Sequence, residues 1–451
     1  MKIQKQVPLT EGPILKSLTG LAVPIMISSF LGTLYNITDM AWIGLLGSKA
    51  VAAVGVGGMY VWLSQGLASL ARMGGQVHVA QCLGRGDKEQ AHRYAKTAVQ
   101  LSILLGLAFA AVSLLFTDPL VGFFKLEGVK TILDAKIYMR ITCGLILFSF
   151  LNLTLTGLYT AQGDSKTPFV ANFIGLLINL LLDPLLILGV GPFPRIEVAG
   201  AAVATVSAQL VVMFVMMVGV FRSKKEENVL KGIRLFEPFS KEELGNICKI
   251  GGPTAIQGMV YCMISMVLTR MVAAFGAEAI ATQRVGGQIE SVSWNTADGF
   301  AAALNAFVGQ NYGAKKMDRV QKGYRISFWT VAIWGALIML AFIIFPGPIA
   351  GVFFHEEKAM EIAISYLIII GFSEAFMCVE LMTIGALSGL GKTKLCSVIS
   401  ITATSMRIPL AMLLSRTSLG LDGIWWALTL TSVTKGIIFY LTFRYQMREK
   451  C

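Results

Sequence analysis

The sequence predicts an all-α polytopic membrane protein with twelve transmembrane helices in two pseudo-symmetric six-helix bundles. Composition is the first reason. Of 451 residues, 55% are hydrophobic and only 14% are charged, against roughly 25% charged in a soluble domain. Recurrence is the second, because apolar runs of about 20 residues, the length of a membrane-spanning helix, return along the whole chain. Symmetry is the third: the second half repeats landmarks of the first at a nearly constant offset.

Twelve runs qualify, in chain order. The first, 17–45, is too long for a signal peptide and lacks a small-residue cleavage pattern; it carries Pro24 and the polar "YNITD" of 35–39. Runs at 52–80, 96–117 and 133–160 follow. The fifth, 167–190, contains "NLLLDPLLIL" at Asn179–Leu188, and the sixth, 198–221, includes "GAAVATVSAQ". The last six lie at 246–272, 280–309, 326–348, 361–388, 394–414 and 421–443. Between the sixth and seventh runs lies the longest hydrophilic segment, Arg222–Lys249. It sets the expected boundaries: an N-terminal lobe over 1–222, a cytoplasmic linker over 223–249 and a C-terminal lobe over 250–451. A capping box, Ser240–Glu243 ("SKEE"), predicts a short surface helix in that linker.

The net charge of +12 follows topology. With the N-terminus cytoplasmic and the first turn of each run counted with the adjoining loop, 25 of the 38 Lys and Arg residues fall in the odd loops and termini, 7 in the opposite loops and 6 within spans. That bias obeys the positive-inside rule, so both termini are expected in the cytoplasm and no nucleic-acid partner is needed to explain the charge. Seven scattered cysteines without a C-x-x-C pair argue against a disulfide framework or metal site. His78, His92 and His355 have no ligand spacing and are expected as loop or membrane-edge polar residues. The absence of H-E-x-x-H, G-x-S-x-G and a P-loop argues against an enzyme or an intrinsic ATPase.

The repeat is specific in its landmarks. "VAQCLG" at 79–84 returns as "VGQNYG" at 308–313, and the same offset of 229 maps Pro24 to Pro253, Gly47 to Gly276 and Gly57-Gly58 to Gly286-Gly287. Later the offset becomes 228, taking Tyr138 to Tyr366 and "GLYTAQG" to "GALSGLG". Six spans per half give both repeats the same sense in the membrane, related by an axis along its normal, as in some transporters.

Against this symmetry one polar set stands out. Asn179 and Asp183 are four residues apart and so share a helix face, as do Tyr35 and Asp39 in the first span; Thr205 lies near the start of the sixth. Together they offer oxygens to a small hard cation, or a carboxylate pair able to hold a proton; the alternative is interhelical hydrogen bonding, common in membranes. An Asp at the bilayer centre costs about 2.5–3.5 kcal/mol on insertion scales and usually marks an ion or proton path. The repeat erases the set: Asp39 maps to Leu268, Asn179 to Arg407, Asp183 to Ala411 and Thr205 to Leu428. One-sidedness favours a specialised ion site in the N-terminal half.

The stretch "LYTAQGDSKTPFVANFIGLLINLLLDPLLILG" at 158–189, with "GAAVATVSAQ" and the paired "VAQCLG" and "VGQNYG", resembles the multidrug and toxic compound extrusion (MATE) transporters. The resemblance runs from about residue 15 to 445 and is most specific over 157–209. "RVGGQIESVSW" in the eighth span is more similar to the DinF branch than to the NorM branch. The family implies a cation-coupled antiporter that exports organic, mainly cationic or amphipathic compounds by alternating access. Its coupling ion is H+ or Na+, and no cofactor is needed. Carried over, the matching positions of the cation or proton site are Asp39, Asn179, Asp183 and Thr205, with Tyr35 able to complete it. The alternative is a flippase for a lipid-linked precursor, which usually has extra spans and a more basic cavity. The expected partners are small organic substrates and membrane lipids, and the expected setting is the plasma (inner) membrane, where the protein works as a monomer.

One departure is visible: NorM-type members carry an acid in the seventh span, and "GGPTAIQGMVYCMISMV" at 251–267 has none. The acids of the second half lie instead in spans eight and ten. Glu290 and Glu374 are candidates for substrate contact or for charge pairing with Arg284 and Arg407, since buried membrane charges are usually paired. Glu380 and Asp298 are expected near the cytoplasmic ends, solvated or gating, and Lys435 is expected to snorkel or to pair with one of these acids. Pro24 permits a kink, read either as a static bend or as a hinge that responds to occupation of Asp39.

Overall fold

The computed structural model describes residues 7–126, 128–189, 194–223, 228–235, 237–238, 240–354 and 356–448. His355 and Cys451 lie outside the described residues. Within them the regular structure is entirely helical. The N-terminal half supplies α1 (Ile14–Gly44), α2 (Ser48–Arg85), α3 (Lys88–Leu115), α4 (Thr117–Gly122), α5 (Val129–Gly144), α6 (Leu147–Ala161), α7 (Lys166–Leu188) and α8 (Glu197–Arg222). The C-terminal half supplies α9 (Lys241–Ala273), α10 (Ala277–Gly313), α11 (Met317–Ile344), α12 (Pro346–Gly351), α13 (Glu357–Gly371), α14 (Glu374–Gly389), α15 (Thr393–Ser405), α16 (Arg407–Leu414) and α17 (Leu421–Arg448).

These helices account for twelve spans. Nine helical segments are long and apolar enough to cross a bilayer, α15 and α16 counting together, and two bent pairs, α5–α6 at 43° and α13–α14 at 51°, make one broken span each among the described residues. The remaining span is α10, which has the length at 37 residues but is made less apolar by Glu290, Asn295, Asp298 and Asn305. The chain is a multi-pass membrane protein.

Two compact units divide the chain: Met1–Val7 with Ile27–Gly258, and Pro8–Met26 with Met259–Cys451. Helices α1 and α9 contribute to both, the change falling a few residues after Pro24 and Pro253, each inside a continuous helix. In the first unit α2 packs along α3, α5 and α6, while α7 lies on α8. Small side chains, including Ala71, Ala95, Ala98 and Ala161, let the backbones approach around the buried rings of Tyr94 and Tyr159. In the second unit α10 and α14 are paired, with α11 and α17 also against α14. There Trp425 is fully buried and stands edge-on to Tyr366, centroids 4.8 Å apart.

The sequence repeat is a structural one. The short helices α4 and α12 are displaced by 229 residues at both ends, and the bent spans occupy matching places. Gly47 and Gly276 precede α2 and α10 with φ of 103° and 114°, a region that glycine enters without a Cβ penalty. The matched pairs Gly57–Tyr138 and Gly286–Tyr366 are contacts: each glycine faces its tyrosine ring so closely that a Cβ would collide with it. Gly286→Ala is therefore expected to displace Tyr366 and lower stability by about 1–3 kcal/mol, the usual effect of overpacking. Thermal unfolding in detergent measures it, with Gly287→Ala, where a Cβ meets open space, as the comparison.

The hydrophilic connector is bound to the first unit. Gln100 Nε2 donates to Leu235 O at 2.8 Å and Glu237 O at 2.7 Å, His92 Nδ1 donates to Val229 O at 2.7 Å, and Gln162 Oε1 accepts from Val229 N at 3.0 Å. The Lys96 ammonium, 2.8 Å from Glu237, bonds its carboxylate and holds it below the usual Glu range. The capping-box residues do not begin a separate surface helix. They open α9, where Leu244 N bonds Ser240 O at 3.0 Å and the helix runs on through Ala273. The expected short helix gained nothing by stopping, because the following residues keep an apolar helical run. Nor are His78 and His92 loop residues. His78 stacks on Tyr94 with centroids 4.5 Å apart and bonds Asn246 O at 3.1 Å.

Candidate functional site

The buried stripe of α7 runs Pro168, Ala171, Gly175, Asn179, Asp183 and Ile187. Spacings of three and four residues put all six on one helix face, so the same periodicity that packs α7 on α8 carries the two polar side chains inward. Gly175 is pressed against Val212 and Ala208 of α8, which brings the α7 and α8 backbones close. Asp183 is completely buried, Asn179 is 1% exposed and Asp39 of α1 is 8% exposed.

The five predicted residues of this half converge. Tyr35 Oη and Thr205 Oγ1 are 2.9 Å apart. Asn179 Nδ2 donates to Tyr35 Oη at 3.4 Å and to Asp183 Oδ1 at 3.3 Å. Asn179 thus joins α1 to Asp183 with the two hydrogens of one amide. Asp39 and Asp183 are close enough to feel each other's charge. Asp39 Oδ1 and Asp183 Oδ2 are sealed from solvent and have no hydrogen-bond partner among the described residues. A carboxylate oxygen in that position is strongly destabilising unless a proton or a cation neutralises it. Two such oxygens, with hydroxyl and amide oxygens beside them, fit a hard monovalent cation or a proton. No group of three or more His, Cys, Asp or Glu suited to a transition metal occurs among the described residues.

The second unit places its charges differently. Glu290 accepts a hydrogen bond from Tyr366 Oη. Glu374 is completely buried and neither carboxylate oxygen is hydrogen-bonded; Ser293, the hydroxyl that bears on it, lies 3.1 Å from Cys378 Sγ instead. Arg407 is 7% exposed, and its Nε and Nη2 donate to Thr431 Oγ1 and Ser432 Oγ, both at 2.9 Å. Arg284 is exposed on α10. Neither arginine forms a salt bridge with Glu290 or Glu374 among the described residues. Asp298 is exposed, but Glu380 is not the solvated acid expected of it: Lys435 Nζ lies 2.8 Å from Glu380 Oε1, with both side chains 6% exposed. Contact between α14 and α17 buries the two together, and mutual neutralisation permits it.

Three partners were not foreseen. Tyr366 appears in the sequence as the repeat mate of Tyr138, a signal of packing with no hint that its hydroxyl would serve Glu290. Thr431 and Ser432 are small polar residues on an apolar helix, indistinguishable in sequence from ordinary helix–helix hydrogen bonding.

Comparison with known proteins agrees with this architecture. A family model described as MatE matches residues 24–185 and again 253–413, two blocks separated by the same offsets as the repeat. The probable multidrug resistance protein NorM of Thermotoga maritima is 29% identical, covering 98% of this chain and 95% of that protein. The FAD transporter of Shewanella oneidensis is 25% identical, covering 96% and 95%. A solved outward-facing multidrug resistance MATE transporter superposes with a TM-score of 0.91 at 24% identity, covering 100% and 99%. A MOP superfamily transporter from Pyrococcus furiosus does so with a TM-score of 0.90 at 24% identity, covering 99% of each chain.

Proposed function

The chain belongs to the MatE family of multidrug and toxic compound extrusion transporters, and from that premise we propose that it is a secondary antiporter expelling organic compounds in exchange for inward H+ or Na+. The observation that carries this reading is the sealed carboxylate pair. Asp39 and Asp183 stand in the first unit, each with an unpartnered oxygen and close enough to feel each other's charge, and Asn179 links Asp183 to Tyr35, whose hydroxyl meets Thr205. A site of this kind is stable when occupied and unstable when empty, so a cation entering down its gradient changes the energy of the helices that form it.

Alpha-1 links that site to motion. Asp39 lies on the same helix as Pro24, and the division of the chain into two units falls between them in sequence, after Met26. Neutralising Asp39 alters what α1 gains from facing α7, and the missing backbone bond at Pro24 lowers the resistance to bending. The lysine and arginine bias supports a plasma-membrane orientation with cytoplasmic termini.

The test is efflux of an organic cation dye from proteoliposomes with Na+ and pH gradients imposed one at a time. Wild-type efflux is expected under one gradient, which names the ion, and Asp39→Asn is expected to remove that dependence. Efflux that needs neither gradient, or that survives Asp39→Asn unchanged, overturns the reading.

A further inference from the structure

The repeat assigns Arg407 the place in the second unit that Asn179 holds in the first. There the polarity is reversed: where one unit has two acids, each with an unpartnered oxygen, the other has a guanidinium with no salt bridge among the described residues. Arg407 is more than nine-tenths buried, yet it forms no salt bridge among the described residues. Its hydrogen bonds go to two neutral hydroxyls. Thr431 directs its own proton to Ala427 O at 2.8 Å, so it receives the Nε–H on a lone pair and leaves the positive charge intact. Among the described residues Nη1 has no hydrogen-bond partner and, unlike the oxygens of Glu374, it is not among the sealed atoms.

Neighbouring charges do not close the edge. Lys435, the other buried cation of this unit, is engaged by Glu380. Glu290 is within electrostatic reach of Arg407 but is bonded by Tyr366. Tyr261, 44% exposed, lies with its ring 6.0 Å from the guanidinium carbon, which offers an aromatic platform beside a planar cation. A guanidinium fork held by its Nε side, open on the other edge and flanked by an aromatic ring, matches the geometry of a carboxylate on an aromatic molecule.

We propose that Arg407 binds the carboxylate of a transported compound and makes zwitterionic aromatic amines preferred cargo. The proposal rests on the export function above and names its substrate class. Glu290, within electrostatic reach of Arg407, supplies the opposite sign for the amine end.

The probes are rhodamine 110, which carries a free carboxylate, and rhodamine 123, its methyl ester. Binding of each to the purified full chain is followed by fluorescence anisotropy. Wild type is expected to favour rhodamine 110 by about tenfold or more, the range of a hydrogen bond to a charged group. Arg407→Gln should bring the ratio of the two dissociation constants to about one, and Arg407→Lys should leave it in between. The wild-type ratio stands even if a variant fails to fold, and a ratio of one or less overturns the proposal. So does a preference that persists in a folded Arg407→Gln. Equal binding of both dyes leaves the export function standing and removes only the role of Arg407; binding of neither removes both.

Discussion

Asp183→Asn is expected to abolish gradient-driven accumulation while leaving the protein folded. One monovalent cation moving down about 150 mV releases roughly 3.5 kcal/mol, at 2.3 kcal/mol per 100 mV, which sustains a dye ratio of up to a few hundredfold. With Asn at 183 only Asp39 of the pair keeps a charge, the site can no longer hold the driving ion between two carboxylates, and the ratio should fall to about one under any imposed gradient. The side-chain amide is nearly isosteric and its oxygen still accepts from Asn179, so the melting temperature should change little. Exchange of labelled for unlabelled dye across the membrane, which needs no driving ion, should persist. Accumulation measured in proteoliposomes decides: a ratio that survives Asp183→Asn makes this carboxylate structural and moves the coupling site elsewhere.

Lys435→Met is expected to produce the largest loss of stability. The substitution removes one partner of a 2.8 Å ion pair whose side chains are both 6% exposed, and Glu380 is left charged in an apolar interior. Breaking a buried pair in this way costs about 3–5 kcal/mol, whereas replacing both partners by apolar side chains of similar volume is often neutral or stabilising. The double variant Lys435→Met, Glu380→Leu should therefore recover most of what the single variant loses. Denaturant unfolding in detergent checks both. A single variant as stable as wild type would mean that Glu380 finds another neutralising partner, and Arg407, which acts on Lys435 electrostatically, is the side chain to examine.

The twelve spans were legible in the residues because crossing a bilayer is a local demand: each backbone group must bond within its own helix, and each helix must be long and apolar enough to do so. The breaks within the fourth and tenth spans were not, since a bend of 43° or 51° leaves composition untouched. The polar cluster around Asp183 was also legible. Asn179 and Asp183 are one turn apart on a single helix, and an aspartate in that setting is costly enough to mark itself. The second unit shows the converse. Glu380 and Lys435 are 55 residues apart on different helices, and Tyr366 and Glu290 are 76 apart. From the chain alone Glu380 is expected near a helix end, Lys435 to snorkel or to pair with one acid among several, and Tyr366 stands only as the repeat mate of Tyr138. Periodicity along one helix is written in the chain, so the acid site of α7 could be read from it. Which charge neutralises which across a bundle depends on where α10, α13, α14, α16 and α17 come to lie against one another. That choice is made by packing, because only in the folded bundle is water excluded and only then does a charge require its partner.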